Sequence, residues 1–182
     1  MNETQIIGAI NDARKGICQY LDIMELFHKV DVSGNRDFQR KFNAFYRIRQ
    51  RSVEWYGEYF SSMQRWKGSK PTFNDVLDHL NKSLGRYEPS FSSKLLATLD
   101  PNYPIWDKFI LKNTQTKAPF YTSKHKMEQA KAAYEHILIW YKQFLGSTDG
   151  KLVVSVFDRN VSEYTKITDV KKVDFVLWQM RP

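Results

Sequence analysis

Lys94 and Asp107 are the two residues of this 182-residue chain whose types and surroundings point to covalent chemistry. Lys94 stands among leucines in SFSSKLLATL, residues 90 to 99, and Asp107 follows Pro104-Ile105-Trp106 thirteen residues after it. A lysine amine stripped of part of its hydration deprotonates more easily and can form a Schiff base, while an adjacent carboxylate can carry protons or steady a developing cation. The same two residues also fit a structural role. On a helix from Ser90, residues Phe91, Leu95, Leu96 and Leu99 make the core side and place Lys94 at the edge, from which a lysine extends its amine to water. Asp107, three residues after Pro104, suits the unpaired N–H groups of a helix's first turn.

A second constellation lies in FQRKFNAFYRIRQRSVEWY, residues 38 to 56. Read as one helical run with Phe38, Phe42, Phe45, Val53, Tyr56, Phe60 and Met63 on its apolar face, the segment gathers Arg36, Arg40, Arg47 and Arg51 on the opposite face. Such a row is either a solvated basic face or a phosphate-tracking stripe, because arginine forks match phosphate oxygens and nearby aromatics can stack on bases. Arg49 falls inside the apolar stripe, a place where a charge must find a carboxylate or a ligand.

Other chemistries find no support. His28, His79, His125 and His136 lack metal-ligand spacing, the single Cys18 allows neither an internal disulfide nor a thiolate cluster, and the aspartates are scattered. Neither a glycine-rich phosphate loop nor a Gly-x-Ser-x-Gly elbow is present. The reading therefore calls for no metal and no cofactor.

Around these residues the pattern is helical. Apolar spacings of three and four predict a helix over about residues 3–30 and another through residues 38–63 ending near Gly68. Thr72-Phe-Asn-Asp75 resembles a capping box and opens a helix that stops at Gly85. A short helix after Pro89 reaches about Leu99, and a turn with Pro104 opens the next, giving a helix–turn–helix corner across residues 85–111. Met127 to Gly146 and Thr168 to Met180 are helical, and KLVVSVF, residues 151–157, is the one strand-like run. The expected fold class is all-α, residues 1–182 forming one helical domain or two lobes, with at most a minor strand at 151–157.

Ser92-Ser93-Lys94-Leu95-Leu96-Ala97, followed by Pro104-Ile105-Trp106-Asp107, resembles the core of the helix-hairpin-helix DNA glycosylases, the endonuclease III and 8-oxoguanine glycosylase superfamily. The resemblance spans Gly85 to Leu111, where Pro89-Ser-Phe-Ser-Ser93 stands in place of the family's hairpin glycines. It implies an all-helical fold, a DNA partner, Lys94 as the nucleophile and Asp107 as the acid–base group.

The charge balance agrees with a polyanionic partner. Lys and Arg number 28 against 20 Asp and Glu, a net charge of +8, and residues 36 to 70 hold nine of the basic residues against Asp37, Glu54 and Glu58. Without a signal-like N-terminus or an apolar run of membrane-spanning length, the expected setting is cytoplasmic, away from the membrane. The expected function is nucleic-acid binding of the base-excision type, with Arg36, Arg40, Arg47, Arg49 and Arg51 on the nucleic acid. The alternative is a non-enzymatic helical protein docking an acidic protein partner through its basic aromatic face.

Overall fold

The computed structural model describes residues 1–180, which form nine α-helices and a short 3-10 turn at Tyr164–Lys166, with no strand among the described residues. The chain divides into two compact units, residues 15–100, and residues 1–14 together with the chain from Pro101 onward. The division falls inside the expected corner, so Lys94 belongs to one unit and Asp107 to the other. Helix α1 (Glu3–Lys29) contributes residues to both. It buries Ile6, Ile10, Ala13, Ile17, Tyr20, Ile23 and Phe27 at helical spacing.

Residues 15–100 add α2 (Arg36–Phe45), α3 (Val53–Arg65), α4 (Phe73–Leu84) and α5 (Pro89–Leu99). The run expected from Phe38 to Met63 is thus two helices. Asn35 caps α2 by accepting from the Phe38 N–H at 2.9 Å, and Ser52 caps α3 by accepting from the Trp55 N–H at 3.2 Å. Between them Tyr46 and Ile48 are buried, whereas Arg47, Arg49 and Gln50 are exposed. Arg47 and Gln50 adopt left-handed φ angles of 54° and 57°. A continuous helix would have turned Arg49 towards the core at a cost of several kcal/mol. Two left-handed side-chain-bearing residues cost about 1–3 kcal/mol each, so the break is affordable, and Ile48 takes the inward place.

Phe38, Phe42, Tyr59 and Phe60 are fully buried. Their ring centroids lie 5.6 Å (Phe38–Phe42), 5.7 Å (Phe42–Phe60) and 6.0 Å (Phe42–Tyr59) apart, within the range of favourable aromatic pairs. These rings are committed to the core and are not available to bases. The Thr72–Asp75 capping box is formed, and α4 ends at Gly85, whose φ of 63° is the left-handed conformation that glycine adopts without penalty. Pro89 occupies the first turn of α5.

The other unit contains α6 (Lys108–Asn113), α7 (Lys126–Gly146), α8 (Thr148–Asn160) and α9 (Asp169–Gln179), with α8 packed on α7 and α9, and α6 on α9. The expected strand at 151–157 is the middle of α8. Gly150, Val153, Val156 and Phe157 are its buried residues, at steps of three and four. Ser147 caps it through Gly150 N–H at 3.1 Å, and packing overrides the strand preference of the valines. Pro104 likewise does not open a helix. Its carbonyl accepts from the Tyr134 hydroxyl at 2.8 Å, and α6 begins after Asp107.

The α7–α8 corner depends on Gly150. A Cβ built there would stand 1.9 Å from the Phe144 carbonyl oxygen, whereas one at Gly8 on α1 meets nothing within 4 Å. Gly150→Ala is expected to destabilise the protein by about 1–3 kcal/mol, and Gly8→Ala to be neutral or stabilising by up to about 1 kcal/mol. Thermal melts of the two variants beside the wild type check the pair; equal melting temperatures would contradict the close approach.

Candidate functional site

Helix α5 sets the environment of Lys94. Every residue from Ser92 to Thr98 is buried, so this helix has no solvent edge over those turns and Lys94 is only 8% exposed. The expectation of an amine reaching water from the rim of the helix is corrected by this burial. Its Nζ lies 3.5 Å from the Tyr46 carbonyl oxygen, 5.0 Å from the Phe91 ring centroid and 5.9 Å from that of Tyr46. An ammonium over aromatic faces is held by their electron-rich surfaces, more strongly as water is excluded.

Arg51 completes the cluster. Its guanidinium lies 4.9 Å from the Phe91 centroid and 5.5 Å from that of Trp55, and its Nη2 is 3.3 Å from each carboxylate oxygen of Glu88. Glu88 sits at the N-cap position of α5 without capping it, which leaves its carboxylate for Arg51. Burial pushes the Glu88 carboxyl above its ordinary range, against the opposing pull of Arg51, Arg86, Trp55 and Lys94. Tyr59 donates to the Phe91 carbonyl at 3.0 Å. Its phenol is pushed well above the usual value by burial, with Tyr46 and Glu88 adding to the effect. Lys94 therefore belongs to a desolvated group of two cations, one carboxylate and several rings.

Asp107 has a different setting. Its Oδ1 accepts from the backbone N–H groups of Phe109 at 2.8 Å and Ile110 at 2.9 Å, and its Oδ2 accepts from the Trp178 indole N–H. It caps α6 and joins that helix to α9. Close to it is a buried polar trio. Tyr141 donates to Asp174 at 2.6 Å, and Lys171 pairs with the other Asp174 oxygen at 2.5 Å. Burial raises the Asp174 carboxyl despite Lys171 and Tyr141, and the charge of Asp107 adds to the rise.

The four arginines of the expected basic face do not share one helix. Arg36 and Arg40 are exposed on α2, with Arg40 paired to Asp37 at 2.7 Å; Arg47 and Arg49 are exposed in the following connection; Arg51 turns inward to Glu88. Arg49 is outside the apolar stripe altogether.

Two features escaped the sequence. Glu88 is separated from Arg51 by 37 positions, so nothing local reveals the pair. Ser62, His79 and Glu58 also meet, with Ser62 Oγ 2.8 Å and Glu58 Oε1 2.9 Å from His79 Nε2. A nucleophilic relay needs the serine and the carboxylate on different ring nitrogens. Here both contact Nε2, and Ser62 is 1% exposed, so the trio is a structural cluster. Among the described residues, no group of three or more His, Cys, Asp or Glu side chains converges to hold a metal ion, and no helix is long and apolar enough to cross a membrane.

Comparison with known proteins gives no matching family model, no matching curated sequence and no matching solved structure.

The raised Glu88 carboxyl has a definite consequence for pH dependence. A carboxyl whose folded pKa exceeds its unfolded value contributes stability that is fully present below the unfolded pKa and is lost as pH rises through the folded one. Glu88→Gln does not titrate, so its melting temperature relative to wild type is expected to increase from about pH 4 to pH 7. A difference that stays flat or moves the other way in paired melts would contradict the burial effect.

Proposed function

We propose that this chain binds nucleic acid through the exposed arginines around the α2–α3 connection and that Lys94 is the amine nucleophile of a base-excision reaction. The observation that supports it most is the exposure of Arg36, Arg47 and Arg49 within one short segment, where Asp37 is the only carboxylate and is already paired with Arg40 and Lys41. Guanidinium groups left in water favour a ligand with anionic oxygens. The burial of Lys94 supports the second part, since an apolar pocket is one of the settings in which a lysine amine serves as a nucleophile.

In such a reaction the neutral Lys94 amine attacks C1′ of a deoxyribose. The glycosidic C–N bond breaks with its electron pair passing to the base, which takes up a proton. The sugar ring then opens as the C1′–O4′ bond breaks, O4′ keeping the electron pair and taking the second amine proton after the base has taken the first, which leaves an imine between lysine and C1′. The resemblance assigns proton handling to Asp107. It also accepts two backbone N–H bonds from α6 and the indole N–H of Trp178 on α9, so the conservative Asp107→Asn change needs a melting curve beside every rate.

Changing Arg47 and Arg49 together to alanine is expected to weaken binding to duplexes of any sequence and to flatten the dependence of log affinity on log salt by about two units. An unchanged slope in a salt titration would remove the segment from the interface. Borohydride reduction on a panel of damaged and abasic duplexes is expected to trap a covalent adduct that Lys94→Ala lacks. If every duplex leaves the wild type free, or the alanine variant is trapped equally, the lysine has no such part.

A further inference from the structure

Residues 114–125, which connect α6 to α7, contain Lys117 and Lys124 and no carboxylate; Lys112 precedes them at the end of α6, and Lys126 and Glu128 follow in the first turn of α7. At their centre Phe120 is 84% exposed and Tyr121 is 68% exposed. Leaving a phenyl ring in water forgoes the favourable transfer that a partner covering it would recover.

The connection holds the ring outward by its own hydrogen bonds. The Ser123 N–H donates to the Phe120 carbonyl at 3.0 Å, Ser123 Oγ donates to Gln129 Oε1 at 2.9 Å, and the His125 N–H donates to Ser123 Oγ at 3.2 Å. Lys126 Nζ donates to the Tyr121 carbonyl at 3.1 Å and lies 4.4 Å from the Tyr121 ring centroid. Lys117 and Lys124 are exposed on either side of Phe120.

We infer that this connection binds an unpaired nucleic-acid strand, Phe120 stacking on a base while Lys117 and Lys124 meet the flanking phosphates. The inference rests on the nucleic-acid reading above and adds the strand form and the residues that would engage it. Charge complementarity selects a polyanion, and the bare ring selects one that carries flat apolar surfaces between its charges. An anionic membrane satisfies the lysines but not the arrangement of the rings. The Lys126 ammonium is held against Tyr121, so inserting that ring would carry a charge towards hydrocarbon, and Phe120 alone supplies less apolar area than the single acyl chain that anchors only marginally.

The test uses the full chain and three labelled probes: oligothymidylate of about 12 nucleotides, a site size typical of single-strand binders, inorganic polyphosphate, and phosphatidylcholine–phosphatidylserine vesicles. Phe120→Ala, at a position too exposed to disturb folding, is expected to weaken oligothymidylate binding by about 5- to 150-fold without changing its salt slope, and Phe120→Trp to restore it. Polyphosphate binding is expected to ignore Phe120, and Lys117→Ala with Lys124→Ala to flatten the salt slope for both polyanions. Equal oligothymidylate affinity for wild type and Phe120→Ala, or loss of vesicle binding alone in that variant, would overturn the inference. A blunt duplex separates the two readings. Duplex affinity that falls with Arg47 and Arg49 while oligothymidylate binding ignores Phe120 rejects only the strand site, whereas a wild type that binds no duplex rejects the earlier reading.

Discussion

The ion pair between Arg51 and Glu88 is the constraint on which the unit of residues 15–100 depends. It connects the end of the α2–α3 connection to the start of α5, with 3.3 Å between Arg51 Nη2 and the Glu88 carboxylate oxygens. Neither group is free in water, and a buried pair gains little over an apolar substitute, although removing one partner alone is costly. What the pair provides is placement. Arg51 turned inward leaves the preceding arginines outside, and Glu88 at the head of α5 brings a negative charge near the place where Lys94 is buried.

The unit that includes Asp107 solves a similar problem differently. Asp174 and Lys171 are buried together on α9, and Tyr141 supplies the remaining hydrogen bond. Asp107 spends its oxygens on the first turn of α6 and on Trp178. Buried polar groups with their partners in place are costly to disturb. The connection that carries Phe120, by contrast, leaves that ring and Tyr121 exposed.

Much of the helical layout was legible because the signals were local. Thr72 with Asp75, and Gly85 after Leu84, delimit α4 in sequence and structure alike, since a cap needs only its own neighbours. The valines at 153, 154 and 156 match a strand and a helix equally, and only the packing of α8 on α7 and α9 decides. The break after Phe45 was hidden because Ile48 and Arg49 are adjacent, so a shift of one residue exchanges an inward isoleucine for an inward charge. Lys94 looked like an edge residue because its own helix is apolar on one side only in projection; burial through Ser92–Thr98 comes from elements distant in sequence. Lysine and aspartate could be picked out as candidates, but not the partners that surround them.

The central claim is that the connection between α2 and α3 lies on nucleic acid, and amide hydrogen exchange with and without a short duplex tests it most directly. Exposed connection amides exchange readily and slow when a ligand covers them. The account predicts slowed exchange in peptides covering residues 36–52 on duplex addition, with α8 unchanged. Exchange in that segment unaltered by saturating duplex would contradict it.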